Sequence, residues 1–309
     1  MLLKEVIDIF DILDSSYVNG FTVKELLEKV SKKGNIEVET ISTSKGSTDF
    51  IRITIPGKNG KINGGKAPTL LVVGRLGGLG ARPKITGFVS DGDGALTVLS
   101  LALKLLKMKE KGDDLEGDIL ISTHITPNAP TLPHDPVDFM DSPVDMRTMN
   151  EKEVFGDFDA MLSVDTTKGN NIINNNGFAI SPTVREGYIL KVSDDLLRNM
   201  EKTTGESPKV FAITTQDITP YGNGVYHLNS ILQPSIVTDK PVVGVAITSG
   251  KVIAGCDTEA TSPTSIESCA RFLLSVSKEF TLGKVSFSDD KEFELLQKLY
   301  GDMKSLQKN

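Results

Sequence analysis

TLLVVGRLGG (residues 69–78) ends an apolar strand in a glycine cluster, and two further segments complete the unit that decides the fold. SDGDGALTVLSLALKLL (90–106) places two aspartates before a long apolar helix, and DILISTHITPNAP (118–130) contains a second strand followed by a histidine. This order predicts an α/β fold. Its chemistry is expected at the ends of adjacent elements, because open α/β sheets bind ligands there.

Composition and charge limit the partners of the protein. The 309 residues are 39% hydrophobic and carry a net charge of −7, which is typical of a globular protein and disfavours nucleic acid as a partner. No apolar run approaches the ~18 residues of a membrane-spanning helix. The two cysteines form no C-x-x-C motif, and the acidic N-terminus lacks a signal-peptide pattern. We therefore expect a cytoplasmic protein without membrane or nucleic-acid partners.

Helices and strands alternate along the chain. We predict an amphipathic helix over residues 2–14 and a second helix that begins at a Thr22–Glu25 capping box. IEVETIST (36–43) and FIRITI (50–55) alternate in polarity, which predicts two antiparallel strands. FDAMLSVD predicts a buried strand that ends at Asp165.

The C-terminal half continues this pattern without a repeat or a clean linker. Strands are predicted at 209–214 and 242–248, and helices near 193–203, 223–232, 264–278 and 289–307. The chain is predicted to be a single α/β domain, 1–309. Its parts are N-terminal helices and antiparallel strands (1–66), a core (67–280) and a C-terminal helix (285–309).

Residues 126–145 are the least regular part of the sequence. Prolines recur every three residues from Pro127 to Pro136 and favour an extended path over a helix. Long loops of this kind are often functional, and His134 is a candidate substrate-binding residue on this one. The alternative is a surface arm that packs against a neighbouring subunit, which agrees with the homo-oligomer that we expect.

The order of these segments resembles the co-catalytic zinc exopeptidases, in particular the glutamyl and deblocking aminopeptidases of the tetrahedral type. The similarity covers roughly residues 1–280. It is carried by SDGDGALTVLSLALKLL, DAMLSVDTTKGNN (159–171), NGFAISPTVREGYILKVSDDLL (176–197) and GNGVYHLNSILQPSIV (222–237). The resemblance implies a three-layer αβα fold with a mixed central sheet. The family's inserted lid domain has no room between Arg75 and Asp91, so we expect the core without it.

In that family, two zinc ions are held by two His, a bridging Asp, a further Asp and a Glu, and another Glu is the general base. Zinc lowers the pKa of its bound water, and the neighbouring carboxylate moves the proton. The resemblance places Asp91 at the bridging ligand and Asp165 at the second carboxylate ligand. A divalent metal, zinc or manganese, is the cofactor that it implies.

The remaining positions depart from the family pattern. The first His ligand falls on Arg75, the adjacent pair of glutamates falls on about His124 and Ile125, and the last His falls near Gly255. An arginine repels a dication, although it suits an anion. The whole chain contains three histidines, so no neighbouring residue restores the missing ligands.

Two hypotheses for function follow. In the first, Asp91, Asp165 and His124 hold one divalent metal in an atypical hydrolase that acts on a small peptide or amide. His124 is also the catalytic candidate, while Arg75 and His134 are candidates for binding the substrate. In the second, the protein has lost the metals and binds a small anionic or peptide-like ligand, or serves as an oligomeric scaffold.

Each candidate also has a purely structural interpretation. Asp91 and Asp93 precede a helix, where aspartate is a typical capping residue. Asp165 is followed by two threonines, a pattern typical of a turn that bonds its own backbone. His124 after a buried strand is as often a hydrogen-bonded structural residue as a ligand. The sequence leaves these alternatives open.

Overall fold

The computed structural model describes residues 1–75, 77, 79, 87–133, 139–167, 169–213, 230–251, 253 and 260–304. Its helices are α1 (Leu3–Leu13), α2 (Gly20–Val30), α3 (Asp93–Glu110), α4 (Met146–Glu153), α5 (Asp194–Thr204), α6 (Pro263–Thr281) and α7 (Asp290–Tyr300). Its strands are β1 (Asn35–Thr43), β2 (Gly46–Ile55), β3 (Leu70–Gly74), β4 (Ile119–Ile125), β5 (Thr131–Leu132), β6 (Phe139–Met140), β7 (Ala160–Thr167), β8 (Gly177–Ile180), β9 (Val184–Arg185), β10 (Tyr188–Ile189) and β11 (Val242–Thr248). Short 3₁₀ segments lie at Lys61–Asn63, Ser90–Gly92 and Ser230–Val237.

Within these described residues, all strands except β5 and β6 form one mixed sheet. Its order is β1-β2-β4-β3-β7-β11-β9-β10, with β8 paired to β11. β3, β4, β7 and β11 run parallel, whereas β1, β2 and β8 are antiparallel to their neighbours. The predicted α/β fold with a mixed central sheet is confirmed.

The order of the strands reverses beside β3. From β3 the chain crosses through α3 to β4 on one side, and it later reaches β7 on the other side of β3. In an open α/β sheet, such a reversal of strand order opens a crevice at the carboxyl ends of the strands. The carboxyl ends of β3, β4 and β7 are therefore the edge at which this topology places a ligand site.

Two helical layers cover the sheet, and they differ in thickness. α1, α2, α3, α5 and α6 form one layer, whose core includes Val72 and Ile121. α4 and the 3₁₀ segment 230–237 cover the other face, whose smaller core includes Val73 and Met161. Neighbouring residues of a strand point to opposite faces, so Val72 and Val73 belong to different cores. This is the predicted three-layer arrangement.

α3 lies in the middle of the thicker layer and is buried along nearly its whole length. It packs on the sheet and also contacts α1, α2 and α6, which explains its continuous apolar sequence. No helix among the described residues is long and apolar enough to cross a membrane.

Capping side chains set helix starts that the sequence patterns placed too late. α2 begins at Gly20, because Asn19 and Thr22 cap it reciprocally, so the predicted Thr22–Glu25 box was wrong. α6 begins at Pro263, one residue before the prediction, because the side chain of Ser262 is its N-cap. A cap is one hydrogen bond, and several hydroxyl or amide residues near a helix start can make it.

Tertiary context changed several predicted elements in the C-terminal half. The predicted strand at 209–214 is reduced to an isolated bridge between Val210 and Ile180, and residue 214 lies outside the described residues. Most of the predicted helix near 223–232 also lies outside them, and its last residues belong to the 3₁₀ segment 230–237. α7 ends at Tyr300, earlier than predicted.

The described residues of the proline-rich segment, 126–133 and 139–145, are more regular than the proline spacing suggests. β5 and β6 pair with each other in antiparallel orientation. α4 follows directly at Met146, where no helix was predicted, and Asp145 is its N-cap. His124 and Asp165 were predicted at or after strand ends, but both lie inside strands, because β4 and β7 are longer than their apolar runs.

Candidate functional site at the carboxyl edge of the sheet

Arg75 lies one residue beyond β3 at the carboxyl edge of the sheet. Its backbone N–H donates to the carbonyl of Val164 (2.7 Å), so it continues the pairing of β3 with β7. Its side chain is fully buried and reaches α4, where Nη1 donates to Asn150 Oδ1 (2.7 Å) and Nη2 contacts Met146 Sδ (3.0 Å). The guanidinium therefore points into the protein.

His124 uses both of its ring nitrogens inside the protein. Nε2 accepts a hydrogen bond from the backbone N–H of Gly77 (3.1 Å), and Nδ1 lies 2.5 Å from Glu153 Oε1. Because a backbone N–H only donates, Nε2 carries the lone pair and the proton resides on Nδ1. Neither nitrogen then offers a lone pair to a metal in this geometry.

Glycine is required where the chain passes His124. A Cβ on Gly77 would lie 1.5 Å from the carbonyl oxygen of His124, which no side chain tolerates. Gly77 also accepts a hydrogen bond from the N–H of Thr126 (2.8 Å). Gly77 thus lets the backbone approach β4 closely enough to bond the imidazole.

Glu153 joins Arg75 to His124 and completes the group that we call the Arg75 cluster (Arg75, His124, Asn150 and Glu153). Glu153 Oε2 lies 3.4 Å from Arg75 Nε, while Oε1 meets His124 Nδ1. The side chains of Arg75 and Glu153 are fully buried, and that of His124 is 3% exposed. The guanidinium charge is therefore matched by an internal carboxylate.

The end of α4 is fixed against the sheet, which positions Glu153. Ser122 Oγ donates to the carbonyl of Glu153 (2.6 Å), and Arg52 Nε donates to the carbonyl of Lys152 (2.8 Å). The last carbonyls of a helix have no partner within the helix, so these bonds satisfy two of them. β2 and β4 thereby hold the carboxyl end of α4 in place.

Asn150 and Glu153 are the site residues that sequence reasoning missed, because the proline spacing pointed away from a helix. A signal was present in the residues themselves. Asp145 accepts a hydrogen bond from the N–H of Thr148 (2.9 Å) as the N-cap, and Arg147 pairs with Glu151 one turn along. A capping residue followed by an i, i+4 ion pair is typical of a short surface helix.

Asp91 and Asp165 lie on the other side of β3 at the same edge. Asp91 is half-buried in the 3₁₀ segment that precedes α3. Asp165 is buried in β7, and its Oδ1 accepts a hydrogen bond from the N–H of Thr166 (2.6 Å). Thr166 Oγ1 donates to the carbonyl of Ser90 (3.2 Å) and joins the two segments. The two predicted carboxylate ligands are therefore brought to one edge.

Asp93 has a different role from Asp91. It is fully buried as the first residue of α3, and its Oδ1 accepts a hydrogen bond from Thr261 Oγ1 (2.9 Å). The N-cap of α3 is Gly92, and within the described part of the chain no side-chain hydrogen bond caps the helix. The capping interpretation of the two aspartates is therefore not supported.

Several sequence-based candidates cannot be placed. His134, the second candidate for substrate binding, lies outside the described residues. The same holds for Asp135, Asp138, His227 and Gly255. The roles suggested for these residues stay predictions.

The described residues do not fit a two-zinc site. Among them, no group of three or more His, Cys, Asp or Glu side chains is arranged to hold a metal. Arg75 brings a cation to the position where the resemblance has the first His ligand. Asp91, Asp165 and His124 as metal ligands stay predictions, and His124 would first have to give up Gly77 or Glu153.

Comparison with known families places the chain. A family model described as "Protein of unknown function (DUF1177)" matches residues 39–309. The chain belongs to the DUF1177 family. The match contains the Arg75 cluster, Asp91 and Asp165, so the whole edge described above lies in the DUF1177 region. No curated protein matches the sequence.

Solved structures resemble the DUF1177 chain in fold at low sequence identity. The LapA aminopeptidase of Legionella pneumophila is 10% identical, with a TM-score of 0.53 over 93% of this chain and 72% of that one. A glutaminyl cyclase from an Acidobacteriales bacterium is 12% identical, with a TM-score of 0.52 over 91% and 94%. The bottromycin maturation enzyme BotP, in complex with Mn, is 12% identical, with a TM-score of 0.52 over 89% and 70%.

These likenesses establish an aminopeptidase-like α/β fold and nothing finer. The glutamyl and deblocking subgroup suggested by the sequence resemblance is not singled out. The similar structures include an aminopeptidase and a cyclase, so the fold alone does not choose a reaction. The function depends on the side chains at the carboxyl edge.

Proposed function

We propose that this DUF1177 protein is a binding protein built on an aminopeptidase-like fold, and that its ligand is a small peptide-like molecule. The observation that carries the proposal is the Arg75 cluster. At the positions where the resemblance has a His ligand and the acidic pair, this chain has a buried arginine and a histidine that bond an internal glutamate. A guanidinium and an imidazole without a lone pair to offer do not bind zinc.

The Arg75 cluster also narrows the class of ligand. An anionic ligand would need a cation at the carboxyl edge, and Arg75 was the candidate. Its side chain is fully buried, and its charge already faces Glu153 Oε2 at 3.4 Å. Recruiting Arg75 to a ligand carboxylate would leave Glu153 buried without its cation, which is costly. Of the two ligand classes, the peptide-like one is therefore better supported.

Asp91 and Asp165 suggest which end of such a ligand is held. Both carboxylates lie at the carboxyl edge, and Asp91 is the more exposed of the two. A carboxylate stabilises an ammonium group through charge and hydrogen bonds. We therefore place the amino terminus of the peptide-like ligand at Asp91, with Asp165 behind it in β7.

Binding of small dipeptides tests this proposal. Calorimetric titration should detect a dipeptide with a free amino group and should show clearly weaker binding of its N-acetylated form. Asp91→Asn should remove most of that difference, because it removes the charge that selects the ammonium group. The control is Asp113→Asn, which changes an exposed aspartate after the end of α3. Equal binding of the free and acetylated dipeptides would refute the amine role.

A one-metal hydrolase is the second candidate, and a specific observation favours it. The hydrogen bond from Thr166 to Ser90 holds the Asp91 and Asp165 segments together at one edge. A metal at Asp91 and Asp165 would supply a polarised water for hydrolysis of a peptide or amide. Loading with zinc or manganese followed by desalting tests it. About one bound equivalent that Asp91→Ala abolishes would support the hydrolase, whereas less than about a tenth would exclude it.

A further inference from the structure

The Arg75 cluster contains the components of a metal site apart from a third ligand. His124 Nδ1 and Glu153 Oε1 are 2.5 Å apart and are both buried. Ligand atoms around a tetrahedral zinc are roughly 3.3 Å apart, given zinc–ligand distances near 2.0–2.1 Å. A small outward movement of the Glu153 carboxylate would therefore accommodate a zinc ion in place of the Nδ1 proton. A third ligand would have to come from the position of Arg75.

Three polar atoms of this cluster also have no hydrogen-bond partner among the described residues. They are Arg75 Nε, Asn150 Nδ2 and Glu153 Oε2. Buried polar atoms are normally hydrogen-bonded, and each exception calls for an explanation. Here the two atoms of the ion pair, Arg75 Nε and Glu153 Oε2, face each other at 3.4 Å without a hydrogen bond. The guanidinium therefore balances the charge of Glu153 without satisfying its hydrogen-bonding capacity.

We infer that Arg75 is a specificity-determining residue that keeps divalent metals away from Glu153 and His124. A dication next to Oε1 would be close to the guanidinium at Oε2, and like charges repel strongly in a buried, low-dielectric setting. Arg75 also satisfies the charge of Glu153, so the cluster is stable without a metal. Replacing this one side chain by a ligand should open a zinc site that the native protein does not have.

The variant Arg75→His tests the inference because it supplies a third ligand beside His124 and Glu153. Thermal unfolding is followed in EDTA and at a zinc concentration about a hundredfold above the Kd of the variant for zinc. Zinc should raise the Tm of Arg75→His by about 4 °C and leave the native Tm unchanged. Arg147→His combined with Glu151→Gln is the matched control, since it places a histidine at an exposed position of α4 without an acidic partner one turn away and should show no zinc response.

Arg75→Gln covers the case in which Arg75→His does not fold. It removes the repelling charge and keeps much of the side-chain length, so zinc should stabilise it through His124 and Glu153, more weakly than Arg75→His. Adding His124→Phe to either variant should abolish the effect. The inference is wrong if the variants fold and zinc does not raise their Tm. It is also wrong if neither variant folds and zinc does not restore the folding of either.

The outcomes separate this inference from the proposed function. A zinc response of the native protein that His124→Phe abolishes would contradict both the metal-excluding role of Arg75 and the proposal of a metal-free binding protein. If zinc changes the Tm of neither the native protein nor the Arg75 variants, only the role of Arg75 is refuted. Dipeptide binding by the native protein is unaffected by either result.

Discussion

The two sides of β3 carry charged residues at the same edge of the sheet for different reasons. On the β4 side, the charged side chains of the Arg75 cluster are buried, and its cation and carboxylate face each other inside the protein. On the β7 side, Asp91 is half-buried on a short segment that leads into α3. Judged by residue type alone, the charged residues on both sides of β3 are candidates for a functional site. The degree of burial separates the two sides, because a fully buried side chain holds the fold together whereas a half-buried one can meet a ligand.

Arg75→Met removes the buried ion pair on the β4 side and should have the largest effect. It leaves Glu153 buried without its cation, so we expect a loss of about 3–5 kcal/mol in the free energy of unfolding, measured by urea denaturation. The double variant Arg75→Met/Glu153→Leu should recover at least half of the loss, because it removes both charges together. A single variant as stable as the native protein would contradict the account.

Arg147→Met is the control for that experiment. It removes an arginine that pairs with Glu151 on the exposed surface of α4. Exposed pairs contribute little, so the urea midpoint should hardly move. A large effect here would mean that α4 itself, rather than the buried pair, sets the stability.

Gly94→Ala tests the close approach on the β7 side. A Cβ there would lie 1.7 Å from the carbonyl oxygen of Arg75 and 2.8 Å from that of Val164. Helix propensity alone would make alanine more stable than glycine by roughly 0.5–1 kcal/mol. The backbone contact should outweigh this and destabilise the protein by about 1–3 kcal/mol. Stabilisation would show that α3 lies farther from β3 than described.

Asp145→Ala tests the helix that carries Glu153, and we expect the smallest effect. Loss of the N-cap should cost about 1 kcal/mol at pH 7 in the free energy of unfolding. The Thr148 N–H bonded to the carboxylate holds the pKa of Asp145 below its ordinary value. A lowered pKa in the folded state stabilises the protein above the unfolded-state pKa, and this contribution is lost as pH falls through the folded-state pKa.

The pH dependence supplies the check on Asp145. The difference between the native protein and Asp145→Ala, followed by urea denaturation, should shrink as the pH falls below about 4, near the ordinary pKa of aspartate. Asp145→Asn keeps an N-cap side chain without a titrating group, so it should retain most of the stability at pH 7. A difference that stays constant with pH would remove the carboxylate from the cap.

The sequence predicted the scaffold well where one physical pattern dominates. The apolar strand before Arg75 and the long helix after Asp93 stand out, because both are buried on almost every side. The strand at 242–248 was also correct to the residue. Continuous burial leaves a signal in the sequence that does not depend on knowing the partners.

The Arg75 cluster was not predictable in the same way. Glu153 lies 29 residues from His124 in the chain, and their contact depends on α4, which follows a proline-rich segment. Arg75 was recognised as a cation that suits an anion, but its anion proved to be internal. Long-range ion pairs leave no periodic signal, so only the fold reveals which charge meets which.

The protonation state of His124 tests the central claim most directly. The chain has three histidines, so ¹⁵N NMR of labelled protein can identify His124 by comparison with His124→Phe. At pH 7 we expect a proton on Nδ1 and a bare, hydrogen-bonded Nε2, with no change when zinc or manganese is added. Loss of the Nδ1 proton, or a shift of either nitrogen at about one equivalent of metal, would show that a metal occupies this edge.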